Sequence, residues 1–138
     1  MREDASQVRN DGKCSQKENL PNIHIIFGMK VHLIRKEAIE DYVARNARSR
    51  PSLEEWLGKL KHADWEKPTD MQTLFGTADL LGKSSHRVVF NIGGNAYRMI
   101  CKYAFGDHQV HLFISWIGTH AKYDEICNAG KQYSVNNY

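Results

Sequence analysis

Residues 90–100 read FNIGGNAYRMI, and the reading of this stretch decides the fold. Two strand-prone runs flank Gly93-Gly94. Paired glycines there predict a tight hairpin, because glycine reaches positive φ without a Cβ clash. The flanking strands are HRVVFNI (86–92) and NAYRMICKYAF (95–105); a second turn at Gly106-Asp107 leads into HQVHLFISWI (108–117). One charge, Arg98, interrupts a strand that otherwise looks made for burial.

Side chains alternate along a strand, so the register decides which residues share a face. A turn at Gly93-Gly94 pairs Ile92 with Asn95, Phe90 with Tyr97 and Val88 with Met99. A turn at Gly106-Asp107 pairs Tyr103 with Val110, Cys101 with Leu112, Met99 with Ile114 and Tyr97 with Trp116. Beyond the first pair all are apolar or aromatic, which marks the face that helices should cover. The opposite face carries Arg87, Val89, Asn91, Arg98, Lys102, His111 and Ser115, with Arg98 beside Ser115 and Lys102 beside His111. Cations on neighbouring strands suit phosphate groups; the plainer alternative is an ordinary solvent-facing sheet.

Upstream, KVHLIR after Met29 alternates as a first strand. KEAIEDYVARN (36–46) sets Ile39, Tyr42 and Val43 on one helical face. RPSLEEWLGKLKHA (50–63) contains Ser52-x-x-Glu55, the pattern of a capping box, followed by a stripe of Leu53, Trp56, Leu57 and Leu60. Residues 63–85 read as irregular, with one helical turn near Met71–Phe75. THAKYDEICNAG predicts a last helix with Thr119 as N-cap and Gly130 beyond its end. Its His120, Tyr123 and Asp124 lie at i, i+3 and i+4 and share one side. Tyr123 serves equally well as a core anchor beside Ile126 and Cys127, and His120 as a surface residue.

Residues 1–28 are nearly devoid of apolar periodicity up to the short run IHIIF, and read as a disordered extension. Either Met29 is the natural start, or residues 23–27 lengthen the first strand. The remaining organisation is one domain over residues 29–130 and a frayed tail over 131–138. The composition, 41% hydrophobic and 25% charged, is that of an ordinary soluble protein, and the net charge of +3 hints only weakly at an anionic partner. Three cysteines without CxxC spacing argue against a disulfide framework and fit a reducing cytoplasm. The start lacks the apolar region of a signal peptide, and no run approaches the ~18 apolar residues of a membrane span. His108-x-x-His111 has metal-like spacing but nothing to complete a set, so no metal and no cofactor are expected. Gly93-Gly94 leads into a strand rather than a helix, which excludes a phosphate loop.

VHLIRKEAIEDYV, VVFNIGGNAYRMI and THAKYDEI, in this order, resemble the HigB family of bacterial toxins, within the RelE-like superfamily. The resemblance runs from Met29 to about Asn128, and the FNxGGNxxR and THxxYD pair is its most specific part. It implies a small α+β fold: an antiparallel sheet, two N-terminal helices packed on one face, and a short C-terminal helix. It implies a toxin of a type II toxin–antitoxin system that cleaves translated mRNA on the 70S ribosome. The implied partner is a HigA-type helix-turn-helix antitoxin, and operator DNA is reached only through that complex. Carried over to this sequence, Arg98 contacts the scissile phosphate, while His120 and Tyr123, with Asp124 beside them, serve proton transfer or orientation. Arg87, Lys102, Lys122 and Asn95 are candidate RNA contacts; for Arg87 and Lys102 the support is the sheet register alone. The 28-residue extension and the modest charge depart from the family pattern.

Metal-free RNA cleavage uses the substrate's own 2′-hydroxyl. One group must take its proton, another must protonate the leaving 5′-oxygen, and a third must stabilise the phosphorane. Arginine suits the last role, because its fixed fork grips phosphate oxygens in pairs. Histidine suits acid or base work near neutral pH. Two other classes remain open: a non-catalytic RNA-binding module on the same face, and a RelE-superfamily relative acting on free RNA or on DNA gyrase.

Overall fold

The computed structural model describes residues 29–138. The extension over residues 1–28 lies outside the described residues. In chain order the elements are β1 (Lys30–Ile34), α1 (Glu37–Arg45), α2 (Arg50–Leu60), α3 (Asp70–Leu74), β2 (Asp79–Leu81), β3 (Arg87–Ile92), β4 (Tyr97–Phe105), β5 (Gln109–Thr119) and α4 (His120–Asn128). The strands form one sheet in the order β1-β5-β4-β3-β2. The three central hairpin strands and β2 are antiparallel, but β1 joins β5 in parallel, so the sheet is mixed. An antiparallel β1 would need its chain reversed; the long passage through α1 and α2 lets it lie parallel instead.

The inner face is built as the alternation predicts. Ile39, Tyr42 and Val43 of α1, and Leu53, Trp56 and Leu60 of α2, bury against Val88, Phe90, Met99, Cys101, Leu112 and Ile114. Trp56 meets Phe90 at 5.2 Å and Phe75 at 5.8 Å between ring centroids, in the range favoured by aromatic pairs. The helix start differs from expectation. α2 begins at Arg50-Pro51, so Ser52 lies inside the first turn and no side-chain cap forms. Proline is pre-set for that first turn, and the N-cap position lies at Ser49, three residues upstream of Ser52. Ser52 instead packs beneath Gly93 in the β3–β4 loop; a Cβ on Gly93 would fall 2.7 Å from its Oγ.

The register also differs, in an instructive way. Ile92 pairs with Tyr97, Phe90 with Met99 and Val88 with Cys101, because the loop spans four residues, Gly93–Ala96, rather than two. A shift of two residues preserves parity, so every side chain of β3 and β4 keeps its expected face. The second hairpin is shifted likewise, with Phe105 opposite Val110 and Tyr103 opposite Leu112. Between Ile100 and Cys101 the pairing then slips by one residue at a bulge: Cys101 faces Ile114, Ile100 faces Trp116, and Ser115 is the extra residue. A slip of one reverses parity. Arg98 therefore stands opposite Gly118 and not Ser115, and Trp116 turns to the outer face; Lys102, before the bulge, stands opposite Phe113 and not His111 through the two-residue shift alone.

The outer face is partly roofed. Val89, Ile100 and Trp116 form a second small core with Leu81, Tyr123, Ile126 and Val135. α4 ends at a left-handed Gly130, φ 70°, where Gly130 N–H donates to the Cys127 carbonyl and Lys131 N–H to that of Ile126, closing a Schellman motif. Residues 131–138, which the sequence reads as a frayed tail, are hydrogen-bonded to the sheet. The Asn137 N–H donates to the Ser115 carbonyl at 2.8 Å, and Arg87 Nη1 donates to the carbonyls of Val135 at 2.6 Å and Gln132 at 3.4 Å. The bulge sits where the tail crosses, so a carbonyl left out of the regular ladder finds a donor there.

Candidate functional site

Two sequence motifs meet because the backbone ties them together. His120 N–H donates to the Ala96 carbonyl at 3.1 Å, and Tyr97 pairs with Thr119. The start of α4 is thereby fastened to the loop that carries Asn95. Thr119 caps the helix as predicted, its hydroxyl accepting from Lys122 N–H at 3.3 Å.

Arg98 is 8% exposed. Its Nη1 donates to the Tyr97 carbonyl at 3.1 Å and its Nη2 to Asn95 Oδ1 at 3.3 Å. Among the described residues no carboxylate lies within 4.0 Å of it. A guanidinium held by neutral acceptors keeps its charge unneutralised and its remaining donors set for an anion. Asn95, itself exposed, thus holds the arginine through its side-chain oxygen.

His120 is exposed at the head of α4, with Nε2 3.6 Å from Asp124 Oδ2 one turn later. Tyr123 is half-buried, its ring centroid 6.3 Å from that of Trp116. Burial pushes its phenol well above the usual tyrosine range, helped by a side-chain hydrogen bond with Cys127 and by the charge of Asp79, while Arg98 pulls the other way. Tyr123 therefore remains a protonated donor across the neutral range and is unsuited to act as a base. Lys122 is exposed, with Nζ 3.7 Å from Glu125 Oε1. It flanks a groove of about 630 Å³ that runs from Tyr42 and Asn46 past Gly118 and Thr119.

The structure thus gathers Arg98, Asn95, His120, Tyr123 and Asp124 at one end of the outer face. It leaves Lys102 exposed at the other end, beyond Ile100, and buries Arg87 beneath the C-terminal segment. The Arg87 guanidinium also anchors the tail, a contact that the sheet register alone does not announce. Three contributors carry no signal in the sequence at this site. Asp79 comes from β2, a three-residue strand in a segment that reads as irregular. Trp116 falls on the inner face by simple alternation. Gly118 matters because a Cβ there would meet the ring of Trp116, 2.5 Å from Cη2. Among the described residues, no group of three or more His, Cys, Asp or Glu is gathered as for a metal ion, and no helix is long and apolar enough to cross a membrane. His111 faces His32 on β1, with ring centroids 5.8 Å apart.

Comparison with known proteins yields a match over residues 49–126 to the family described as HigB_toxin, RelE-like toxic component of a toxin-antitoxin system. The chain is 26% identical over 96 residues to the mRNA interferase HigB of Escherichia coli O6:H1, covering 70% of this chain and 91% of that protein. It is 24% identical over 94 residues to the mRNA interferase toxin HigB of Escherichia coli K12, covering 68% and 88%. The mRNA interferase HigB of Shigella flexneri matches to the same extent.

Proposed function

This chain belongs to the RelE-like HigB toxin family, and from that premise we propose that it cleaves translated mRNA on the 70S ribosome, as a metal-independent endoribonuclease that arrests protein synthesis. The observation that carries the reading is Arg98: a nearly buried guanidinium held by Asn95 and the Tyr97 carbonyl, free of any carboxylate among the described residues, beside the first turn of α4.

In this mechanism the scissile phosphate docks on Arg98. His120, oriented by Asp124, takes the proton of the 2′-hydroxyl. The 2′-oxygen bonds to phosphorus, the bond from phosphorus to the 5′-oxygen breaks, and the products are a 2′,3′-cyclic phosphate and a 5′-hydroxyl. Arg98 stabilises the added charge of the phosphorane. The high phenol pKa of Tyr123 fits a donor to a phosphate oxygen or to the leaving 5′-oxygen. The proposed partner is a HigA-type helix-turn-helix antitoxin, with operator DNA reached through the complex, and the proposed place of action is the cytoplasm.

The test is a map of RNA 5′ ends in a translating bacterial extract, with and without ribosomes. New 5′-hydroxyl ends at in-frame positions, present only with ribosomes, are expected. Ribosome-independent cuts would point to a relative acting on free RNA. RNA binding without any cuts would point to a non-catalytic module.

A further inference from the structure

We propose that a second cavity on the outer face, between Arg35, Arg87 and Lys102, binds a backbone phosphate of the same single-stranded RNA, away from the phosphate at Arg98; the inference rests on the RNA-cleaving reading above. The cavity measures about 230 Å³, and Phe113, Ser115 and Tyr138 also line it. Its three cations arrive from three separate places: the residue after β1, the start of β3, and the middle of β4. No acidic side chain lines it. Among the described residues, none of the three cations lies within 4.0 Å of a carboxylate. Like charges brought to one cavity repel one another, and an anion between them turns that repulsion into attraction.

Arg87 is already fixed by the carbonyls of Gln132 and Val135, so little side-chain freedom is lost when a ligand binds. Phe113 and Tyr138 add aromatic walls beside the cations, a combination that suits a nucleotide better than a bare ion. The cavity is separate from the Arg98 site. Lys102 lies four steps along β4 from Arg98, roughly 13 Å at ~3.3 Å per step. The Ile100–Trp116 pair stands between them, and the Arg98 guanidinium is turned toward Asn95. One phosphate does not serve both, whereas one strand of RNA does.

The test uses the full chain and a fluorescent 2′-O-methyl RNA hexamer, which binds but cannot be cut, with anisotropy measured across a salt series. The variant is Arg35→Gln with Lys102→Gln. Both residues are exposed, and glutamine leaves the positive φ of residue 35 no more strained than arginine does. Arg87 is kept because it holds the tail. The expected result is about tenfold weaker binding, with a salt slope shallower by about 0.7 for each phosphate no longer neutralised. Unchanged affinity and slope overturn the proposal, as does a wild-type protein that shows no binding to the hexamer. Thermal stabilisation by inorganic phosphate that disappears in the variant, while RNA binding stays unchanged, also overturns it in favour of a free-phosphate site. The 5′-end map is independent of this outcome. Wild-type cleavage together with pocket-independent RNA binding sinks this inference alone, and pocket-dependent binding without cleavage sinks the proposed function alone.

Discussion

Gly118→Ala should damage both stability and activity, although it adds only one methyl group. Gly118 lies on β5 opposite Arg98, and its open side is filled by the Trp116 indole. A Cβ at this position would land on Cζ2 of that ring, 2.5 Å from Cη2 and 3.2 Å from Cε2. Ordinary contact needs about 3.5–4.0 Å, so the ring must move by an ångström or more. It has little room to do so. Trp116 is 7% exposed and packs on Val89, Ile100 and Tyr123. Overpacking of this kind costs about 1–3 kcal/mol, a change of roughly 5- to 150-fold in the folding equilibrium. Moving Trp116 also unseats Tyr123, so RNA cleavage should fall further than the lost stability explains. Gly58→Ala is the matched control. Gly58 lies within α2, where an added Cβ meets nothing within 4 Å, and alanine there should stabilise by about 0.5–1 kcal/mol with cleavage unchanged. Urea unfolding measures both stabilities, and cleavage in a translating extract measures both activities. A Gly118→Ala protein as stable and as active as wild type would refute the placement of the Trp116 ring over residue 118.

The remaining expectations concern single side chains. Arg98→Ala should abolish growth arrest, with cleavage reduced at least 10²-fold, while antitoxin binding and circular dichroism stay as in wild type; a variant that still arrests growth removes Arg98 from the site. His120→Ala should slow cleavage by about 10²–10⁴-fold, and near-normal cutting in extract would exclude it as the proton acceptor. Arg87→Ala removes two charge-assisted bonds to carbonyls, and should cost about 1–3 kcal/mol and open residues 131–138 to protease; an undigested tail would contradict the anchor. Tyr123 keeps its proton to higher pH in the folded state than in the unfolded one, so its contribution to stability is whole below pH ~10 and falls as pH rises above that. Tyr123→Phe should therefore flatten the alkaline limb of a stability–pH curve, and an unaltered limb would count against the raised phenol.

The candidate site is legible in the sequence only where its residues are near neighbours along the chain. Arg98, His120, Tyr123 and Asp124 fall in two compact motifs, so local spacing suffices to put them on a strand face and a helix side. Arg87 reads in the same way as Lys102, as a cation on the outer face. Nothing local announces that eight residues from the far end of the chain will lie across it. Asp79 stays hidden because a three-residue strand has too few positions to display an alternation.

Alternation along β3 and β4, the paired glycines and the Thr119 and Gly130 caps determined by themselves that the central hairpin and the last helix form, and which side of β3 and β4 is apolar. Those are short-range matters of φ, parity and hydrogen-bond supply, and a register error of two residues leaves parity untouched. Only the tertiary structure decided where parity breaks. The bulge leaves Ser115 as the extra residue, the tail bonds its carbonyl, and no residue type in HQVHLFISWI marks the place. That one extra residue turned Trp116 outward, set Gly118 against Arg98, and gave α4 an apolar seat on the face where the arginine stands.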